Sequence, residues 1–440
     1  MTSPRPIAVV LGTRPEIVKL AGVIQGLGDR CQVVWTGQHY DTELAAGVFE
    51  GMGLPAPKIQ LTGIGGTARG HQIGAMICEL SRRFEHEPPG AVIVQGDTNS
   101  TSAGAQAAHY QGIPVIHVEA GLRSRDRAMP EEINRQVVSV LADVHCAPTP
   151  EAVANLLAEG VVAERIRLTG NTVVEAVTLS LPAPRESLAL VDRFGRRPGE
   201  YVLVTLHRPE NTDDPARLRL ILRQLADLPV PVLFPAHPRT VQACERFGLR
   251  RELRALHPVP PVDHAAFLSL ARHAALLVSD SGGVQEECTV LKKPLIVVRN
   301  STERPEAVAA GFATLLPPGP QLGSTARRLL SDRELGRRLA SLPSPYGDGR
   351  ASARIAALAR AVAQDGTAAL AQAAARTSPL SAEPAERSHL HVPSCRHRRS
   401  AGSHRCQPDA PGARGHVPAR ARTGAAGPAA GPRQARGLQG

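Results

Sequence analysis

Residues 7–27 read Ile-Ala-Val-Val-Leu-Gly-Thr-Arg-Pro-Glu-Ile-Val-Lys-Leu-Ala-Gly-Val-Ile-Gln-Gly-Leu, and the pattern changes at Gly12. Ile7–Leu11 is a short unbroken apolar run, as expected of a strand buried on both faces. From Ile17 onward the apolar residues Leu20, Ala21, Ile24 and Leu27 recur at helical spacing. Thr13 as cap and Pro15 in the first turn mark the helix start. A strand, a glycine turn and an immediate helix make the opening of a βαβ unit, and a parallel sheet follows from it.

The same rhythm continues through the first 180 residues. Gln32–Trp35, Ala91–Gln95, Pro114–Val118 and Val144–Ala147 read as further buried strands. The stretch Leu181–Glu200, with Pro182, Pro184, Pro198 and Gly199 among charged residues, reads as a linker. The rhythm then restarts with strands at Tyr201–Thr205, Val230–Pro235, Ala274–Ser279 and Pro294–Val298. Helical patterns lie near Ala216–Leu228, His264–Arg272 and Gly282–Leu291. The expected organisation is an α/β unit over 1–180, a linker over 181–200, a second α/β unit over 201–365 and a tail over 366–440. Two such units leave a cleft between them, the usual place for a small-molecule site.

Composition narrows the function classes. The chain has 440 residues, 42% hydrophobic, and a formal net charge of +11. Residues 376–440 hold 11 Arg, no Lys and 3 acidic residues, while the rest holds 40 basic against 37 acidic groups. The basicity therefore belongs to the tail, and no nucleic-acid partner is expected of the body. The tail has no aromatic residue and no Ile, so its composition predicts disorder. No apolar run approaches the length of a membrane span, and Met1–Pro6 has no signal-peptide pattern. The expectation is a soluble cytoplasmic protein with no membrane partner. Seven cysteines without a Cys-x-x-Cys pair read as reduced thiols. Cys395, His397, His404 and Cys406 fit no standard zinc spacing, so no metal is expected.

Several strand ends carry polar residues where a parallel sheet holds ligands. Arg14 and Lys19 place charge at a helix start, as an anion contact or as ordinary surface residues. Asp97 and Glu119 follow two neighbouring strands. They read as acid/base groups or a metal cage, against capping and ion pairing with Arg123. Glu131 and Glu132 open a helix after Pro130, where dipole complementarity alone would place them. His207 and His237 end strands of the second unit, as titrating or as merely structural histidines. Val278–Glu287 runs from a strand through Ser281-Gly282-Gly283 into a helix, so backbone N–H groups converge on one point suited to a diphosphate. Neither a Walker loop nor a Gly-x-Gly-x-x-Gly is present, so no NAD and no other cofactor is implied. Arg304 follows the next strand as a second anion contact.

Taken together these segments resemble the non-hydrolysing UDP-N-acetylglucosamine 2-epimerase family. The matching signatures are GTRPE at 12–16, TGQH at 36–39, GDT at 96–98, HVEAGLR at 117–123, PEE at 130–132, GNT at 170–172, DSGG-x-QEE at 280–287 and TERPE at 302–306. They occur in the family's order over residues 7–365. The resemblance implies two Rossmann-like doubly wound domains in a glycosyltransferase-B-like arrangement, a UDP-sugar substrate, a homodimer, and a reaction that uses neither NAD nor metal. It implies Asp97, Glu119, Glu131 and His207 as the acid/base set. It implies Arg14, Lys19, Ser281, Gly282, Gly283, Glu287 and Arg304 as groups holding UDP and sugar, with Phe267 against the uracil. Gln38, His39, Arg208 and His237 match an effector site of some members, although Asp41 and the segment Leu61–Gly70 depart from the pattern there. Alternatives within reach of the same motifs are a modified substrate such as a diacetamido-uronic acid, a hydrolysing relative, and a glycosyltransferase of like architecture.

Overall fold

The computed structural model describes residues 5–38 and 42–368. Seven strands form the first sheet: β1 (Ile7–Leu11), β2 (Cys31–Trp35), β3 (Ile59–Gln60), β4 (Ala91–Gln95), β5 (Val115–Val118), β6 (Val144–Ala147) and β7 (Ile166–Leu168). Six form the second: β8 (Val202–Thr205), β9 (Val232–Pro235), β10 (Pro258–Val259), β11 (Leu276–Ser279), β12 (Leu295–Val298) and β13 (Ala313–Leu316). The orders are β3-β2-β1-β4-β5-β6-β7 and β10-β9-β8-β11-β12-β13. All neighbours are parallel, with Ile7 opposite both Cys31 and Ala91, and Leu276 opposite Val202. Both sheets are doubly wound and reverse their winding beside the first strand, at β1/β4 and at β8/β11.

Burial follows the two-residue period of a strand. In β1, Ile7, Val9 and Leu11 face one core while Ala8 and Val10 face another. In β11, Leu277 faces one core and Leu276 and Val278 the opposite one. Each sheet is therefore covered on both faces, which is why its central strands are apolar throughout. The expected central strands are all present to within two residues. The edge and near-edge strands β3, β7, β10 and β13 did not stand out in the sequence. They are two to four residues long and partly exposed, so no apolar run marks them.

Two expected boundaries need correction. The stretch 181–200 is not a bare linker: Pro184–Arg193 is a helix that packs on the helix His264–His273, with Val191 in the second core. Val173 and Val177 belong to that core as well, although they lie before residue 180. Conversely, the helix Ala351–Asp365 leaves the second unit and packs on the helix Arg14–Leu27. Its Ile355, Ala356, Ala359 and Val362 join the first core. Close approach there needs small residues: a Cβ at Gly22 would lie 2.7 Å from Ser352 Oγ, and one at Gly26 would lie 3.2 Å from Ala356 Cβ. Residues 366–368 form one 3₁₀ turn. The tail beyond them, with Cys395, His397, His404 and Cys406, lies outside the described residues. No described helix is long and apolar enough to cross a membrane.

Candidate active site

The two switch points open onto one cleft of about 1190 Å³, lined from both halves of the chain. The helix after β1 delivers Arg14 and Lys19, the loops after β4 and β5 deliver Asp97 and Glu119, and the loops after β8, β11 and β12 deliver His207, Ser281 and Arg304.

On the first side, Thr13 caps the helix Arg14–Leu27. The buried Glu16 carboxylate accepts from the Gly12 and Thr13 N–H groups at 3.0 and 2.8 Å and from the Thr98 hydroxyl at 2.8 Å. One carboxylate thus ties the turn after β1 to the turn after β4. Arg14 extends exposed into the cleft with no ion-pair partner among the described residues. Thr98, not Asp97, caps the helix Asn99–His109, its hydroxyl accepting from Thr101 N at 3.0 Å. Asp97 is left to face the cleft and pairs with Arg135 at 2.5 Å. Below it, His117 contacts the Gly96 carbonyl at 2.8 Å through Nε2. Burial lowers the pKa of His117 to about 4, so the ring is neutral and donates there.

The paired glutamates after Pro130 separate. Glu131 lines the cleft half-buried. Glu132 turns fully inward, accepts from the Ser124 and Arg125 N–H groups at 2.9 and 3.1 Å, and pairs with Arg135 at 2.7 Å. Arg123 reaches neither Asp97 nor Glu119. It pairs with Glu159 at 2.6 Å and donates to Ser139 Oγ, so the ion-pair alternative for the two strand-end acids is replaced.

Glu119 sits at φ 65°, a left-handed backbone that non-glycine residues seldom adopt. Its carboxylate takes Lys19 Nζ at 2.6 Å, Gln95 Nε2 at 2.8 Å and Arg304 at 3.5 Å. Lys19 also meets Glu286 at 2.9 Å, and Arg304 Nε meets Glu286 at 2.9 Å. Burial raises the proton affinity of Glu119, and the neighbouring Glu286 adds to this against the pull of Lys19. Burial would lower Lys19, but Glu119 and Glu286 hold it above its ordinary value. Burial would raise Glu303, yet Arg304, Arg299 and Arg135 bring it down to about 2. A carboxylate with raised proton affinity beside a fixed ammonium is equipped to take and return a proton.

On the second side, Asp280 is fully buried and organises the β8 loop. It accepts from His207 N, Arg208 N and Asn211 Nδ2, and lies 3.4 Å from His207 Nδ1. The His207 ring lies 5.2 Å from that of His237. Burial lowers the pKa of His207, with Arg208 and His237 adding to it against Asp280. The start of the helix Gly282–Leu291 lines the cleft through Ser281, Gly282 and Gly283, and the Ser281 hydroxyl makes no cap bond among the described residues. Glu287 is paired with His264 at 2.9 Å, and the half-buried Phe267 lines the same end.

Of the expected effector group, Gln38, Arg208 and His237 all line the cleft. The Gln38 side-chain carbonyl is already engaged, accepting from Ser100 N at 2.8 Å and Ser100 Oγ at 2.7 Å. His39 of the same motif lies outside the described residues, as does Asp41.

Sequence reasoning did not single out Glu16, Arg135, Glu286 or Glu303. Each lies inside a quoted motif or one turn from it, but a charged residue that turns inward leaves no periodic trace. Among the described residues no cluster of three or more His, Cys, Asp or Glu is arranged to hold a metal ion.

Two doubly wound parallel sheets facing one cleft across their switch points define a glycosyltransferase-B-like α/β protein. The sequence profile described as UDP-N-acetylglucosamine 2-epimerase matches residues 27–360, and the chain belongs to that family. It is 37% identical over 363 residues to the UDP-N-acetylglucosamine 2-epimerase of Methanocaldococcus jannaschii, covering 79% of this chain and 97% of that protein. It is 35% identical over 359 residues to the UDP-2,3-diacetamido-2,3-dideoxy-D-glucuronate 2-epimerase of Pseudomonas aeruginosa, covering 80% and 98%. A crystal structure of the M. jannaschii enzyme in complex with UDP-GlcNAc and UDP superposes with a TM-score of 0.72, covering 80% of this chain and 99% of that one. The Neisseria meningitidis enzyme bound to UDP-GlcNAc, 32% identical, superposes at 0.74 with coverage of 80% and 99%.

Proposed function

We propose that this chain interconverts UDP-N-acetylglucosamine and UDP-N-acetylmannosamine by inverting C2. A base removes the C2 proton, the electron pair forms the C1=C2 bond of a 2-acetamidoglucal, and the C1–O bond breaks to release UDP. In the return step a UDP oxygen re-forms the bond to C1, and an acid delivers a proton to the opposite face of C2. The observation that carries this reading is the meeting of Glu119, with its raised proton affinity, and the cations Lys19 and Arg304 at the mouth of the Gly282 helix start. Proton transfer and departure of the diphosphate, which gains a negative charge as the C1–O bond breaks, are then served within one cleft.

In this reading Asp97, Glu119, Glu131 and His207 form the acid/base set. Arg14, Lys19, Ser281, Gly282, Gly283, Glu287 and Arg304 hold UDP and sugar, with Phe267 beside the uracil. Gln38, His39, Arg208 and His237 remain the effector group, the engaged Gln38 counting against it. The reading extends to a homodimer, a cytoplasmic location and a role in cell-surface polysaccharide synthesis. Substrate labelled with ¹⁸O in the bond between C1 and the β-phosphate tests the cleavage. Reversible C1–O rupture moves the label to non-bridging phosphate positions, which ³¹P NMR reads. A label that stays in place while the manno epimer accumulates contradicts it. The similarity to the P. aeruginosa protein favours a second substrate class, a UDP-diacetamido-uronic acid, to be tried in the same assay.

A further inference from the structure

Glu286 is a fully buried acid behind the cleft lining, reached through Lys19 and Arg304, which do line the cleft. It lies in the helix Gly282–Leu291, whose start is suited to an anion, and it is itself an anion. Its carboxylate meets three groups from separate parts of the chain, two cations as ion pairs and one amide as a hydrogen bond. Lys19 comes from the helix after β1 at 2.9 Å, Arg304 from the loop after β12 at 2.9 Å, and Asn171 Nδ2 from the segment after β7 at 3.0 Å. Lys19 is shared between Glu286 and Glu119, and so is Arg304.

We propose that Glu286 is the resident counter-anion of the diphosphate subsite, a positioning residue that holds Lys19 and Arg304 in the cleft and yields Lys19 when a nucleoside diphosphate enters. The inference rests on the functional reading above. Glu119 also sits between the two cations, so Glu286 adds a second compensating anion and its neutralisation leaves them in place but less balanced. With Glu286 present they stay aimed at the cleft, and an arriving diphosphate must compete with it for them. As Lys19 moves to the phosphate, Glu119 loses its strongest cation and binds a proton more readily. Proton abstraction is thereby tied to the presence of the leaving group.

The consequence is a variant whose two effects have opposite signs. In Glu286→Gln the cations are less compensated, so UDP binds about 5-fold tighter or more. Lys19 then rests on Glu119 alone, so kcat falls about 10-fold or more and the acid limb of its pH profile moves to lower pH. A merely structural role would weaken both binding and turnover. Calorimetric titration of UDP into the full-length protein and into a folded E286Q variant reads the first effect. A wild-type protein that binds no UDP overturns the functional reading and this inference with it. Wild-type binding with an E286Q affinity that is unchanged or weaker overturns this inference alone. Should E286Q fail to fold, wild-type titrations at about pH 7.5, where UDP's own phosphate is ionised, carry the test. Net proton uptake across buffers of different ionisation enthalpy is expected, and its absence overturns the proposal.

Discussion

The two sheets share a strand order around their first strand and open onto the cleft at equivalent places, but the residues at those places differ in kind. Beyond β4 and β5 stand the side-chain acids Asp97 and Glu119, each held by a cation. Beyond β11 the cleft meets the start of the helix Gly282–Leu291 and the Ser281 hydroxyl, while the strand-end acid there, Asp280, points inward and ties down the β8 loop. In the proposed reading, the same winding therefore supplies one wall whose strand ends present carboxylates and one whose strand end presents backbone N–H groups to phosphate. What differs is which strand-end carboxylate faces the cleft and which is spent on neighbouring backbone. Fold gives the address, and a few side chains decide the chemistry.

Substitutions on the two walls should separate cleanly if that division holds. The largest effect is expected for Glu119→Gln, which removes the proton acceptor and keeps the shape: kcat falls about 10³-fold while UDP affinity, read by calorimetry, holds or improves. Loss of UDP binding with turnover preserved would break the division outright. Next comes Glu303→Gln, which leaves Arg299 and Arg304 short of a buried partner and costs about 3 kcal/mol in denaturant unfolding. Its pH dependence has a definite sign. The folded pKa is depressed from 4.5 to about 2, so this stabilisation is fully present above 4.5 and is lost as pH falls through about 2. The gap between wild type and variant should close over that window and nowhere higher.

A smaller effect is expected at the phosphate wall. A Cβ on Gly282 would lie 2.6 Å from Arg304 Nη1 and 3.0 Å from Glu303, so Gly282→Ala displaces a buried guanidinium. UDP affinity should fall about 10-fold, with turnover of bound substrate changed less. The smallest is Gly22→Ala, remote from both walls. Crowding Ser352 there should lower stability by about 1 kcal/mol and leave kcat and KM as they are, a control for packing alone.

Much of this is legible in the sequence. Apolar runs such as Ile7–Leu11 and Ala91–Gln95 mark strands buried on both faces, and the residues at their ends identify the cleft. The edges are not legible, because a two-residue strand such as Pro258–Val259 is held by its neighbour and not by its own pattern. Nor is the return of Ala351–Asp365 to the first core, since an amphipathic helix does not record which sheet it covers. Glu286 stays hidden for a related reason: its meaning lies in Lys19 and Asn171, delivered from elsewhere in the chain, and pairing of that kind has no spacing to read.

The most direct test of the account is proton NMR of the purified protein with UDP-N-acetylglucosamine in D₂O without added cofactor. The manno epimer should appear with deuterium at C2, and deuterium should enter the recovered gluco isomer as well. A manno epimer that retains its original C2 proton would contradict the proton-transfer mechanism on which the two-wall account depends.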